Sequence, residues 1–304
     1  MDQLAAMRAF IRVVEAGTFT SAAESLRMPK PTVTKLIQSL ETHVSTKLLN
    51  RTTRRVTVTP DGAAYYERAL RLITELEELD GSMALSRINP KGRLRVDVGT
   101  SLAILVIIPA LASFYERYPE IQIDLGVTDR PVDLVGENVD CVIRGGNLSD
   151  QSLIARRIAE MNFITCAAPS YLQRYGEPQH PSDLKNGHHV VNFFHPRSGR
   201  PLPPDFVLDN QRVEIDANYQ IAVNDSLAYV TAGLEGLGIV QAPFFMLHKE
   251  LESGRLVRIL KDWRSEPVSI YVVYPPNRHL SNKLRVFVDW VADLFASHTL
   301  LRVG

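Results

Sequence analysis

Between Phe19 and Glu41 the chain reads FTSAAESLRMPKPTVTKLIQSLE, two short helical patterns separated only by RMP. Proline is excluded from a helix interior but accepted in the first turn, so Pro29 and Pro31 end the first pattern and open the second. Two helices joined this tightly must cross at a steep angle. The second must bury one face and offer the other.

The flanking residues extend the pattern. Leu4, Met7, Phe10, Ile11 and Val14 recur at helical spacing, and Gly17 is placed to close that first helix. Thr18 or Thr20 can cap the next, where Ala22 and Ala23 leave room for a close crossing. In the third helix Val33, Ile37, Leu40 and Val44 fall on the inward face, leaving Lys30, Thr32, Thr34, Lys35 and Gln38 outward. Small hydroxyls, an amide and lysines in the first turns of a second helix suit entry into a DNA major groove. An ordinary helical hairpin with a solvated face would show the same row. Thr20, Ser21 and Pro31 complete the candidate DNA contacts on these helices.

The segment after the third helix favours the groove reading. Val56 and Val58 alternate with Thr57 and Thr59 after Arg51, Arg54 and Arg55, the pattern of a basic hairpin wing. Arginines there hold phosphates, which set grip and register, whereas the helix sets sequence preference. The charge distribution agrees. The chain is neutral overall, yet residues 1–60 carry nine Lys and Arg against four Asp and Glu. A basic end on an acidic body fits a phosphate-binding module joined to something that avoids phosphate backbone.

The order of these motifs resembles that of the LysR-type transcriptional regulators. EAGTFTSAA, Pro31 in the first turn of the second helix, IQSLE and LLNRTTRRVTVTPDG fall in that family's order and spacing. One departure is visible. Many members open the recognition helix with serine followed by glutamine, where this chain has Pro29 and Lys30. A lysine cannot make the bidentate contact to adenine that glutamine makes, so the base preference there is expected to differ.

From Asp61 to Ile88 a charged helical pattern places Tyr65, Ala69, Leu72, Leu76, Leu79 and Met83 at alternating steps of four and three. That spacing is a pairing seam between two copies, or one helix face packed on its own chain. The resemblance favours pairing, because the matching segment in the family is the linker helix that joins two subunits. Asn89, Pro90 and Gly92 then break the helix.

Beyond residue 90 strands alternate with helices. GRLRVDVG precedes a helix through SLAILVIIPALASFYERYP, IQIDLGVT precedes PVDLVGEN as a second helical stretch, and VDCVIRGG comes next. This rhythm predicts a parallel sheet covered by helices. HVVNFF, VEIDANYQIAVN, a helix from Asp225, GIVQAP, PVSIYVVYPP and a closing helix with Leu284, Phe287, Val288, Val291 and Phe295 continue it. The resemblance carries on through GLEGLGIVQAP, LESGRLVRILKDW and SIYVVYPPNRHLSNKLRVFVDW. It implies an α/β chain overall: a winged helix-turn-helix over 1–60, a linker helix over 61–90, and a periplasmic-binding-protein-like effector domain over 91–304. Its two subdomains would be 91–162 with 267–304, and 163–266, around a cleft.

Thr100 and Ser101 sit where a strand gives way to a helix, so their amides can form an anion-friendly corner, or Ser101 can be a plain cap. Arg144 can pair with a ligand carboxylate or with an acid of its own chain. Phe194, Asn224 and Gln241 complete the expected cleft lining, while Asp225 would fill the N-terminus of its own helix. The expected effector is small, polar and open to being anionic.

No motif for catalysis stands out. GxSxG, GxxxxGK[ST] and HExxH are absent, and Gly233, Gly236 and Gly238 have the wrong spacing for a dinucleotide loop. His188 and His189 are adjacent and point to opposite strand faces, so no metal site is expected and no cofactor is implied. Cys141 and Cys166 lie in apolar runs, expected as reduced core residues. The N-terminus lacks the order of a signal peptide, and the apolar run LAILVIIPALA holds a proline and is short for a bilayer. The chain is expected to be a cytoplasmic, non-enzymatic regulator with operator DNA, a small effector and a second copy as partners. RNA polymerase is a further expected contact. A solute-binding or metabolic protein whose helical N-terminus serves only assembly is the competing class.

Overall fold

The computed structural model describes residues 2–51, 56–83, 90–134, 136–146, 153–194, 199–209, 211–276 and 281–301. Arg51 and much of the second half of the long helix are described by their backbone alone. Two compact units emerge, Met1–Asn89 and Pro90–Gly304.

In the first unit, α1 (Gln3–Ala16) starts at Asp2, whose carboxylate accepts the Ala5 amide, and stops at Gly17, which takes a left-handed φ of 68°. Only glycine enters that region without a Cβ penalty. Helix α2 (Phe19–Leu26) is capped by Thr18, whose Oγ1 accepts the Ser21 amide. Helix α3 (Lys30–His43) follows Pro29 as its cap, with Pro31 in the first turn. Strands β1 (Leu49–Arg51) and β2 (Val56–Val58) pair antiparallel, Leu49 opposite Val58, and lead into α4 (Pro60–Met83).

Phe10, Val13, Ala22, Val33, Ile37 and Leu40 are fully enclosed at the centre of this unit. The start of α4 joins them. Ala69 and Ile73 are buried there, and the Tyr65 ring meets Phe10 edge-on with centroids 5.6 Å apart. Tyr65 was expected on the pairing seam. Its half-buried ring also meets Phe10 of its own chain, because the first turns of α4 close the helix-turn-helix core.

In the second unit a five-stranded sheet runs in the order β4–β3–β5–β15–β6. Strands β3 (Gly92–Val98), β4 (Ile121–Val127) and β5 (Cys141–Gly145) are mutually parallel, while β15 (Val268–Tyr274) lies antiparallel between β5 and β6 (Ile154–Met161). The sheet is therefore mixed, not parallel throughout. The chain leaves it through β6 and returns through β15, so these neighbours must oppose.

After Asn162 a second layer forms. Strand β7 (Phe163–Ala167) pairs with β13 (Val240–Pro243) and β14 (Val257–Arg258), and β8 (Val190–Phe194) with β12 (Tyr219–Val223) and β9 (Pro201–Leu202). A hairpin of β10 (Asp205–Leu208) and β11 (Gln211–Glu214) flanks them. Two expectations fail locally. PVDLVGEN forms turns among its described residues rather than a helix, with Asn138 at φ 60°, and VEIDANYQIAVN splits into β11 and β12. Asp133 and Asn138 supply turn chemistry that competes with a helix.

Helices α5 (Thr100–Leu102) and α6 (Ile108–Arg117) are joined by a π-helical turn, Ala103–Ile107, into one run of 18 residues. Its mean hydropathy of 1.3 makes it long and apolar enough to cross a membrane by length and composition, so shortness does not set this run apart. Its inner face belongs to the core: Leu102, Ala103, Val106, Ile107 and Phe114 pack into the cluster that covers the five-stranded sheet. Helices α7 (Pro169–Tyr175), α8 (Ser226–Leu234), α9 (Phe244–Glu252) and α10 (Asn282–Ser297) complete the unit. Phe114 sits at an aromatic centre, 5.1 Å from Trp290 and 5.6 Å from Phe287. Phe114→Ala is expected to cost about 3–5 kcal/mol, read as a lower midpoint in chemical denaturation of the full chain.

Candidate nucleic-acid interface and effector cleft

Lys30, Pro31, Thr32, Lys35 and Gln38 are exposed on α3, with Thr34 half-buried between them. The Thr34 hydroxyl donates to the Lys30 carbonyl at 3.0 Å, which pins its rotamer and aims the oxygen lone pairs outward. Thr20 and Ser21 are exposed at the start of α2, and the Ser21 amide and hydroxyl both engage Thr18. A row of donors and acceptors thus runs along the first turns of α3, with no packing over it among the described residues of this unit. Arg51 lies on β1, and Arg54 and Arg55 fall outside the described residues.

The wing is anchored by a residue that the spacing argument passed over. Glu41 is 5% exposed. Its Oε1 accepts the amides of Leu48 and Leu49 at 3.0 and 3.1 Å, and its Oε2 faces Lys47 Nζ at 3.4 Å. An acid beside Leu40 on an otherwise apolar helix face was the only sign of it in the sequence. Thr59 fastens the same stem to the next helix. Its amide donates to the Leu48 carbonyl and its hydroxyl to the Lys47 carbonyl, while its Oγ1 accepts the Gly62 amide. Gly62 is required here, because a Cβ would overlap the Leu48 carbonyl oxygen.

On α4, Leu72 is 54% exposed and Leu76 half-buried. The side chains of Leu79 and Met83 fall outside the described residues.

In the second unit, Thr100 and Ser101 are buried where β3 ends. The Thr100 amide donates to Asp129 Oδ1 at 2.8 Å, and the Ser101 amide to Ser226 Oγ at 3.2 Å. Asp129 Oδ2 accepts the Ser226 amide at 2.6 Å. Asp225 caps α8 by accepting the Leu227 and Ala228 amides, and Asn224 is exposed just before it.

Arg144 pairs with an acid of its own chain. Its Nη2 donates to Asp97 Oδ1 at 2.7 Å and to the Thr128 carbonyl at 3.2 Å, while its Nε is buried without a hydrogen-bond partner. Burial pushes the Asp97 carboxyl up, and the Arg144 guanidinium opposes that rise. Gly126 gives the carboxylate room, since a Cβ there would lie 2.6 Å from Asp97 Oδ2.

Gln241 is occupied in joining two strands. Its Nε2 donates to the Asp205 carbonyl at 2.8 Å and its Oε1 accepts the Asp205 amide. Phe194 is half-buried at the end of β8. Two residues before it, Asn192 is 5% exposed with its Oδ1 unpartnered. A lone asparagine in the apolar strand VVNFF was the signal for it.

Both cysteines are free and enclosed. Burial raises both thiols, Cys166 to about 12, so the reactive thiolate is suppressed. Among the described residues no group of three or more His, Cys, Asp and Glu could hold a metal ion.

Comparison with known proteins places both units. Residues 4–63 match the family described as bacterial regulatory helix-turn-helix protein, lysR family, and residues 88–296 match the LysR substrate binding domain. The HTH-type transcriptional regulator YhjC of Escherichia coli is 38% identical over 299 residues, 98% of this chain and 99% of that protein. An HTH-type transcriptional repressor of Pseudomonas aeruginosa is 36% identical, covering 98% of this chain and 94% of the relative. Among solved structures, CrgA, a LysR-type transcriptional regulator from Neisseria meningitidis, superposes with a TM-score of 0.60 at 31% identity, covering 96% of this chain and 98% of that one. The full-length Vibrio cholerae virulence activator AphB gives 0.59 at 32%, covering 95% and 98%.

Replacing Glu41 by Ala leaves two enclosed amides without an acceptor. Glu41→Ala is expected to cost about 2–4 kcal/mol, and Glu41→Gln less, in urea denaturation of the full chain.

Proposed function

This chain belongs to the LysR-type transcriptional regulators, and on that premise we propose that two copies read an inverted-repeat operator through paired α3 helices. It is a DNA-binding transcriptional regulator with an effector-binding domain. The observation that carries the finer reading is the exposed row on α3. In it Lys30, Thr32, Thr34, Lys35 and Gln38 meet base edges, with Thr20, Ser21 and Pro31 at the rim of the groove. Arg51, Arg54 and Arg55 of the wing hold phosphates.

Residues 1–60 form the reading head, 61–90 the linker, and 91–304 the effector domain in the proposed division. Tyr65, Leu72, Leu76, Leu79 and Met83 pair two linker helices, and pairs of dimers assemble into a tetramer. Leu72 is exposed one turn beyond Ala69 on the same stripe, and that exposure supports the seam. The effector lies between subdomains 91–162 with 267–304 and 163–266, near Thr100, Ser101, Arg144, Phe194, Asn224 and Gln241. It changes DNA binding only by the difference in its affinity for the two arrangements of the dimer. RNA polymerase is the partner downstream of that change, in the cytoplasm, and the chain catalyses no reaction in this reading.

Lys35→Ala is expected to weaken binding to operator fragments by about 1–3 kcal/mol, with effector affinity unchanged. Equal affinity of variant and wild type across several salt concentrations removes Lys35 from the interface. Leu72→Asp is expected to shift the assembly towards smaller species in analytical ultracentrifugation. An unchanged distribution removes Leu72 from the seam.

A further inference from the structure

The second layer of the effector unit encloses a polar row on one face of its strands. Gln241 lies opposite Thr165 in the β13–β7 register, and the bridge between Val190 and Ile239 carries the row on to Asn192, two residues further along β8. Gln241 is satisfied by both backbone groups of Asp205, and its Nε2 also reaches Thr165 Oγ1 at 3.5 Å. Asn192 is treated differently. It is 5% exposed, it pairs with Ala222 of β12, and its Oδ1 has no hydrogen-bond partner. An enclosed acceptor without a donor loses its hydration and receives nothing in exchange, so the chain carries a standing cost at this position.

The place of Asn192 in the fold connects that cost to the cleft. Strands β8 and β12 run parallel and end together, with Phe193 opposite Val223. Just beyond Val223, Ser226 makes the contacts that join the two walls, to Ser101 and Asp129. Asn192 stands two residues, about 7 Å, before the end of its strand. On the opposite wall Arg144 donates to the carbonyl of Thr128, the residue before Asp129, and its Nε is a buried donor without a partner. Three side-chain atoms are buried and unpartnered among the described residues, and two of them, Asn192 Oδ1 and Arg144 Nε, flank the cleft. One accepts and the other donates. Asp97 already balances the Arg144 charge, so a ligand that engages both groups has no need to be an anion.

We propose that Asn192 is a specificity-determining residue of the effector cleft: its Oδ1 accepts an N–H of a neutral, amide-bearing effector, and an oxygen of the same molecule takes the open N–H of Arg144. This rests on the reading of the cleft as the effector site. The closed arrangement, with both groups shut away, is then the ligand-free one. Effector binding favours an arrangement that opens them, and relief of the standing cost contributes to its affinity.

The test is saturation-transfer NMR on the full chain with three probes of nearly one shape: butyramide, 2-pentanone and butyrate. All three present an oxygen, and only butyramide donates. Butyramide is expected to bind wild type about tenfold more tightly than either of the others, the effect of one hydrogen bond to a group otherwise unsatisfied. Asn192→Leu should abolish that preference, and Asn192→Asp, which keeps an acceptor in place, should retain it. Asn192→Leu should also leave the urea midpoint of the ligand-free chain unchanged or raise it, because leucine removes an unsatisfied oxygen at similar volume. A midpoint lowered as by a broken hydrogen bond shows that the oxygen has a partner inside the protein and overturns the proposal. Equal or undetectable binding of butyramide and 2-pentanone to wild type also overturns it, as does equal binding of butyramide to wild type and Asn192→Leu. Asn224→Tyr, a replacement at an exposed position, separates the two readings. Butyramide binding lost in Asn224→Tyr and kept in Asn192→Leu removes Asn192 alone, whereas binding kept in both removes the cleft as well.

Discussion

The helix-turn-helix unit is held together by a carboxylate enclosed by protein. Glu41 on the inner face of α3 takes up the amides of Leu48 and Leu49 at the entry to the wing strand, groups that would otherwise face the core with no acceptor. A buried donor without a partner costs more than the same bond contributes when made, so the wing cannot drift from the helix without leaving those amides exposed to that penalty. Helix α3 and the hairpin thereby share one frame. Pro31 and the enclosed residues Val33, Ile37 and Leu40 set the orientation of the helix within it.

The effector domain applies the same logic to ionised groups. Asp97 and Arg144 join two parallel strands, and burial makes each dependent on the other. Asp129 differs because its partners are backbone amides from two separate helical starts. Such a contact needs no countercharge, and it orients the loop after β4 against α8.

Much of this was legible in the sequence, for stateable reasons. Helical spacing, Gly17, Thr18 and the two prolines act over a few residues, so the order of α1, α2 and α3 and their inward faces could be read directly. The exposed row from Lys30 to Gln38 came from the same periodicity. Contacts between distant residues were not legible. Asp129 meets Ser226 across 97 positions, and neither residue is unusual in its own neighbourhood. That β10 engages the Gln241 amide, and that Phe10 lies against the Tyr65 ring, could not be read from either neighbourhood. Turn chemistry at Asp133 and Asn138 outweighed an apolar pattern that reads as helical.

The seat of Gly62 against the Leu48 carbonyl has a mechanical corollary. With no side chain between them, α4 begins in direct contact with the wing stem, and Thr59 clamps the junction from the other side. Helix α4 then extends for 24 residues, about 36 Å, from a pivot that cannot flex independently of the hairpin. A tilt of about 10° about that pivot would sweep its far end through about 6 Å, on the order of one helical turn's rise. The rod and the helix-turn-helix must move together, so a modest displacement at the remote end is passed on as a change in the orientation of α3.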